Sequence, residues 1–241
     1  MVDVVVFGAG GLGRVVHDTL LQSRQFRPVA FLDSDRSKHG RTIDGLPVRG
    51  DAAQVPALRN QGVAAAIVAI GDNRTRVRVA EMLRRQGMRL VSAIHPLASI
   101  APSARLGEHV IIGPRAIVCV HARVGDHCVL SAGSIVEHDN ELGIGVFLHP
   151  AVRLAGGVRI DDYATLGIGA CVIPTRRVGC GARVGPGAIV IHDVLAGTVV
   201  RGVPAVRPGG ERGRFVAEED VLRTPPRHRS PVPQSQADSS R

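Results

Sequence analysis

One period governs the middle of this sequence. From Ile94 every sixth residue is Ile, Leu or Val: Ile94, Ile100, Leu106, Ile112, Val118, Val124, Leu130, Val136, Leu142, Leu148, Leu154, Ile160, Leu166, Val172, Val178, Val184 and Val190. If about a third of positions were aliphatic, chance would give such a run about once in 10⁸ trials, so the period is real. Four residues after a marker the side chain is usually small, as at Ala98, Ala116, Cys128, Ser134, Ala164 and Ala188. The residue directly after a marker is often glycine, as at Gly107, Gly113, Gly125, Gly143, Gly167, Gly179 and Gly185. A step of six makes one flat side of a triangular coil, and three steps make a turn of about 18 residues whose coils stack at strand spacing, about 4.8 Å. The marker points inward, the small residue sits near the corner, and glycine is expected where φ turns positive. This is the hexapeptide repeat of a left-handed parallel β-helix, an exception to the usual right-handed crossover.

The repeat, over 94–195, accounts for about two fifths of the 241 residues. The apolar share is 44% and aromatics only 2%, which suits a narrow core that admits aliphatics. Net charge is +9, almost all of it from arginine, since Lys38 is the sole lysine. Without aromatic stacking residues or a nucleic-acid motif, this charge does not point to nucleic acid. The longest apolar run, Val63 to Ile70, is too short to cross a bilayer. Cys119, Cys128, Cys171 and Cys180 all fall within the repeat with no CxxC pair, as expected of small buried thiols in a cytoplasmic protein. No signal peptide is evident, and the expected location is cytoplasmic.

Residues 1–92 alternate strand and helix signals, which argues for a small parallel α/β domain. Val2–Phe7 is an apolar strand, and 14–23 a helix. Pro28–Leu32 and Ala64–Ile70 are strands, and Thr75–Gln86 is a helix stopped by Gly87. Gly8-x-Gly10-x-x-Gly13 lies between the first strand and the first helix, the setting of a phosphate-binding loop. Asp33 ends the second strand, where a ribose or base could be read. Nothing in so short a domain supplies a second half for nicotinamide. The expected divisions are 1–92, 93–207 and a Pro-, Ser- and Arg-rich tail at 208–241, read as disordered.

The histidines allow several readings. His109 and His127, 18 apart in the chain, should stack on one edge of neighbouring coils. With His121 they are either a metal set shared across a subunit seam, of the γ-carbonic-anhydrase kind, or plain surface histidines, the reading preferred here. Glu137-His138-Asp139 places three titratable groups in an otherwise apolar coil. It is either a solvated corner or the minimal general base, an imidazole with a carboxylate to fix its tautomer. His149 is expected at a rim.

Taken together, VVVFGAGGLG at 4–13, FLD at 31–33, AIGDN at 69–73, the hexapeptides, SIVEHD at 134–139, LAG at 154–156 and RGVPA at 201–205 resemble one family. It is that of the nucleotide-sugar and sialic-acid acetyltransferases, with a Rossmann-like N-terminal domain and a left-handed β-helix. The resemblance covers residues 1–207. It implies a homotrimer without a metal, acetyl-CoA as donor, and a nucleotide-linked amino sugar or a sialic acid as acceptor. It places the base at His138 with Asp139 as its partner. It places the nucleotide-sugar pocket at Gly10, Gly11, Leu12, Asp33, Ser34 and Gly71, and the donor surface at Phe147, His149, Gly156, Ile168 and Pro186, with an oxyanion donor near Gly156. Leu12 and Phe147 stand where the family commonly has histidine, so the resemblance specifies neither the acceptor nor the length of the acyl group. A nucleotide-binding trimeric scaffold without chemistry and a metalloenzyme are the competing functions.

Overall fold

The computed structural model describes residues 1–208. The tail expected over 208–241 lies outside the described residues but for Pro208.

The N-terminal domain is built on β1 (Val2–Phe7), whose Val4, Val5 and Val6 are fully buried. Side chains alternate across a strand, so Val4 and Val6 meet Val16 and Leu20 of α1 (Gly11–Ser23), while Val5 and Phe7 meet Ala80 and Leu83 of α3 (Asn73–Arg85). With β2 (Phe26–Leu32), β5 (Ala65–Val68) and β6 (Arg89–Leu90), β1 forms a parallel sheet in the order β2-β1-β5-β6. Asp72 caps α3 by accepting from the Thr75 N–H at 2.8 Å. The segment 34–63, which carried no sequence assignment, holds β3 (Thr42–Ile43), β4 (Leu46–Pro47) and the short α2 (Val55–Asn60). Asp44 and Gly45 join β3 to β4, both at positive φ, so an Asp-Gly hairpin signal was available there.

From Ala93 the chain winds into a left-handed parallel β-helix whose faces hold seven, six and five two-residue strands among the described residues. Pairing runs coil to coil at the expected spacing: Ile112 opposes Leu130 on the first face, Val118 opposes Val136 on the second and Val124 opposes Leu142 on the third. The markers from Ile112 to Val190 are buried, together with Ala116, Ala122, Cys128, Ala164, Ala170, Ala182 and Ala188. The coil extends past 195 to a strand at Val199–Val200, but Val200 pairs with Val184, a final turn two residues short.

The glycine expectation needs correction. Positive φ falls three residues after each marker from Leu106 to Val184, at every sixth residue from His109 to Gly187. The glycines directly after the markers have ordinary φ, and are there because coils stack closely. A Cβ on Gly113 would lie 2.8 Å from the Ala132 nitrogen, and one on Gly167 2.6 Å from the Pro186 nitrogen.

The N-terminal domain covers the first face. Ala93, Ile111, Val129 and Phe147 point out of that face, yet are buried with Ala9, Val16 and Leu20. A polar layer welds the two units. The fully buried Arg76 guanidinium donates to the carbonyls of His127 (2.9 Å), Ile70 (2.9 Å) and Gly145 (3.0 Å) and to Asn73 Oδ1 (2.8 Å). Burial lowers its pKa to about 10, so it stays charged at neutral pH. Asn73 Nδ2 donates to Tyr163 O and to Thr165 Oγ1.

His109 and His127 belong to this layer and are buried, not surface histidines. The Val68 N–H donates to His109 Nε2 at 2.8 Å, so the His109 proton sits on Nδ1 and is donated to His127 Nδ1 at 3.0 Å. His127 then carries its proton on Nε2, 3.5 Å from Glu81 Oε1. Both nitrogens of His109 are engaged beneath the N-terminal domain, which removes the pair from any seam with a second subunit. Among the described residues, no group of three His, Cys, Asp or Glu side chains has metal-binding geometry.

Candidate active site

The carboxyl ends of β1, β2 and β5 form the crevice where ligands bind in open parallel sheets. Two glycines of the loop are structural: Gly8 has φ +111°, and a Cβ on Gly13 would collide with the Gly8 carbonyl. Gly10 and Gly11 differ, since a Cβ on either would meet nothing within 4 Å. The same holds for Gly71. This open space at the start of α1 suits a phosphate. Asp33 is committed to shaping the crevice. Its Oδ2 accepts from the Ala9 N–H and from Lys38 Nζ, both at 2.8 Å, and its Oδ1 accepts from the Asp35 N–H. Burial raises its pKa, but Lys38 and these hydrogen bonds outweigh it and leave the carboxyl below the usual range. Ser34 is exposed beside it.

A cleft of about 590 Å³ opens between α1 and the edge joining the first and second faces of the prism. Leu12 and Val15 line one wall, and Val129, Ser131, Ala132 and Pro150 the other. Ala132 and Pro150 begin an exposed rail continued one coil at a time by Ile168 and Pro186. The cleft itself brings Gly11 and Leu12 against Ala132 and Pro150, and the expected donor residues Ile168 and Pro186 lie one and two coils farther along the same edge. His149 lies at the same edge, its ring stacked on Phe147 with centroids 4.4 Å apart, and burial lowers its pKa. Phe147 itself is 7% exposed, under the Arg76 guanidinium. It belongs to the layer between the domains, and its ring presents little surface to a ligand.

His138 stands elsewhere, at the vertex between the second and third faces. Asp139 follows in the left-handed conformation (φ 57°), and its Oδ2 lies 2.9 Å from His138 Nδ1. This contact places the proton on Nδ1 and leaves the Nε2 lone pair free to accept one. Gly156 stacks one coil above, where a Cβ would overlap His138 Cε1 and Nε2. Only glycine leaves room for the imidazole there. The His138 side chain is 57% exposed. Cys119 sits one coil below Glu137, and burial together with that carboxylate raises its thiol pKa, away from nucleophilic thiolate. In a triangular prism the second–third vertex lies opposite the first face, on the order of 15 Å away for sides of this length. One chain therefore holds His138 and Gly156 on one side, and the glycine loop and rail on the other.

Sequence reasoning missed the buried Arg76, which carried no motif, the joining role of Asn73, which closes the AIGDN motif but was given no part in the site, and Lys38, whose role depends on the fold around Asp33. The rail at Ala132 and Pro150 was legible in principle, as the continuation of Ile168 and Pro186 at the coil spacing.

Residues 3–83 match the PglD N-terminal domain family. A GDP-perosamine N-acetyltransferase from Escherichia coli O157:H7 is 29% identical over 210 residues, covering 83% of this chain and 93% of the relative. A histidine-to-alanine variant of the Caulobacter crescentus GDP-perosamine N-acetyltransferase, in complex with CoA and GDP-perosamine, is 38% identical. It superposes with a TM-score of 0.83 over 86% of this chain and 97% of that one. The acetyltransferase domain of PglB from Neisseria gonorrhoeae FA1090, with acetyl coenzyme A, is 31% identical with a TM-score of 0.80, covering 86% of this chain and 98% of that one.

Proposed function

The chain belongs to the nucleotide-sugar acetyltransferases, and from that premise we propose that it transfers an acetyl group from acetyl-CoA to the amino group of a GDP-linked amino sugar such as GDP-perosamine, with His138 as general base. One observation carries the role of His138: its Nδ1 is held by Asp139 while its Nε2 faces the gap left by Gly156. The acceptor amine attacks the thioester carbonyl, and Nε2 takes the proton that the nitrogen loses as the new C–N bond forms. The C–S bond then breaks, and the CoA sulfur leaves as a thiol, taking the proton back from the imidazole. Backbone N–H near Gly156 is the proposed oxyanion donor. The raised thiol of Cys119 favours this direct transfer over an acyl-enzyme.

The nucleotide sits at the open glycines of the loop, Gly10 and Gly11, with Ser34 and Gly71 beside it. The acyl donor lies along the rail of Pro150, Ile168 and Pro186. Because His138 lies on the far side of the prism from that cleft, the base must come from a neighbouring copy, and a homotrimer of side-by-side prisms supplies it. The second face offers the contact surface, with Ile117, Ile135 and Ile189 pointing out of it. No described helix is long and apolar enough to cross a membrane. We place the reaction in the cytoplasm, which suits the four free thiols.

Mixing the protein with acetyl-CoA and GDP-perosamine should release CoA stoichiometrically with an N-acetylated sugar. Release with acetyl-CoA alone, or none with any nucleotide-linked amino sugar, would contradict the assignment.

A further inference from the structure

The small inward position at the second–third vertex is filled, coil by coil, by Ala104, Ala122, Asn140, Val158 and Arg176. Asn140 breaks the apolar pattern in the coil that carries His138. It is fully buried, and its Nδ2 has no partner among the described residues. An unpaired buried donor is unfavourable, and native structures hold few of them. Its Oδ1 has a specific use: it accepts from the Val158 N–H at 2.5 Å.

That bond is irregular. Along the neighbouring first–second edge, each corner closes on itself through an N–H four residues after the marker and a carbonyl three residues back, as in Ser134 to Ser131 and Ala170 to Gly167. Ala122 to Cys119 does the same one coil below Asn140. In the 155–158 turn the equivalent donor, the Val158 N–H, is drawn down to Asn140 instead. Together with the Gly157 N–H on the His138 carbonyl at 2.9 Å, it ties the turn bearing His138 and Asp139 to the turn bearing Gly156. These are the two turns whose spacing sets His138 Nε2 against Gly156.

We propose that Asn140 is a positioning residue, a buried amide clip that fixes the distance between the His138 imidazole and the Gly156 backbone. The proposal rests on the reading of His138 as the base. It explains why an amide with an unpaired nitrogen stands where Ala104 and Ala122 show that alanine fits.

Two substitutions separate positioning from packing. Asn140→Ala restores the residue of the coil below and removes the orphaned Nδ2, and the Val158 N–H it releases can close on its own corner as the Ala122 N–H closes on the Cys119 carbonyl, so the melting temperature should hold. A loosened turn of ångström scale should still lower kcat by about 10- to 100-fold, with KM for acetyl-CoA within about twofold. Asn140→Asp keeps the Oδ1 acceptor but buries a carboxylate. It should melt lower than wild type, yet recover most of kcat. His138→Ala in the same assay tests the underlying reading separately. Loss of turnover in His138→Ala with wild-type kcat in Asn140→Ala would overturn the clip alone. Full turnover in His138→Ala would overturn the base and the clip with it. A parallel fall of kcat and melting temperature in both Asn140 variants would reduce Asn140 to a packing residue.

Discussion

The role proposed for His138 rests on the two residues it touches. Asp139 can reach Nδ1 because it follows directly in a left-handed corner, a conformation Asp tolerates better than most residues. Removing a positioned base usually lowers the rate by about 10²–10⁴, so His138→Ala should lose most of kcat while KM for both substrates changes little. Steady-state kinetics on the purified variant check this; near-wild-type kcat would move the base to another residue. Asp139→Asn should cost less, since the imidazole remains but loses the carboxylate that fixes its tautomer. Wild-type kcat in Asp139→Asn would show that Asp139 does not orient the base. His138 was legible in the sequence because carboxylates flank it in an apolar stretch. The need for glycine at Gly156 was not, because it depends on what stacks one coil below. His109 and His127 misled for the same kind of reason. Their spacing placed them one above the other, but what buries them is a separate domain that no period in the repeat announces.

At the scale of the element, the coil was the most legible feature, since a strict period leaves a single winding. Its glycines show where a period stops being informative. Composition marked where glycine occurs but not which glycine serves conformation and which serves close stacking. The two kinds respond differently to alanine. Gly187 has φ +65° with open space around its Cβ position, so Gly187→Ala should destabilise by about 1–2 kcal/mol, the penalty of the left-handed region. Gly179 has ordinary φ, but a Cβ would sit 2.5 Å from the Ala196 nitrogen, so Gly179→Ala should be the more damaging change. Thermal melts of the two variants rank them, and the reverse order would contradict the stacking explanation. The crevice loop divides similarly: Gly8 and Gly13 are needed by the fold, whereas Gly10 and Gly11 leave space for a ligand.

At the scale of the whole molecule, two features exceed what a repeat can reveal: a polar layer joining the domains, and the placement of the proposed base and the glycine loop on opposite sides of the prism. The layer makes stability depend on pH. Burial, reinforced by the neighbouring His127, lowers the His109 pKa to about 3, and burial lowers that of His127. An unfolded histidine titrates near 6.5. Between those values the unfolded chain binds protons that the folded chain refuses, so stability should be full above about pH 6.5 and fall as pH drops toward 3. Melting temperatures from pH 8 to 4 should decline through that window, and a His109→Gln variant should decline less steeply. A flat profile would mean the pair is not held neutral. The proposed division makes a sharper claim, that the His138 of one chain serves the glycine loop of another. Gly10→Val fills space reserved for ligand without touching the fold, and His138→Ala removes only the base. Each variant alone should be inactive, yet co-expressed in equal amounts they should form mixed trimers. Random mixing then leaves about a quarter of the sites with an intact loop from one subunit and an intact base from the next. The decisive measurement is CoA release by that mixture: about a quarter of wild-type turnover is expected, and no recovery from demonstrably mixed trimers would place the whole site within one chain.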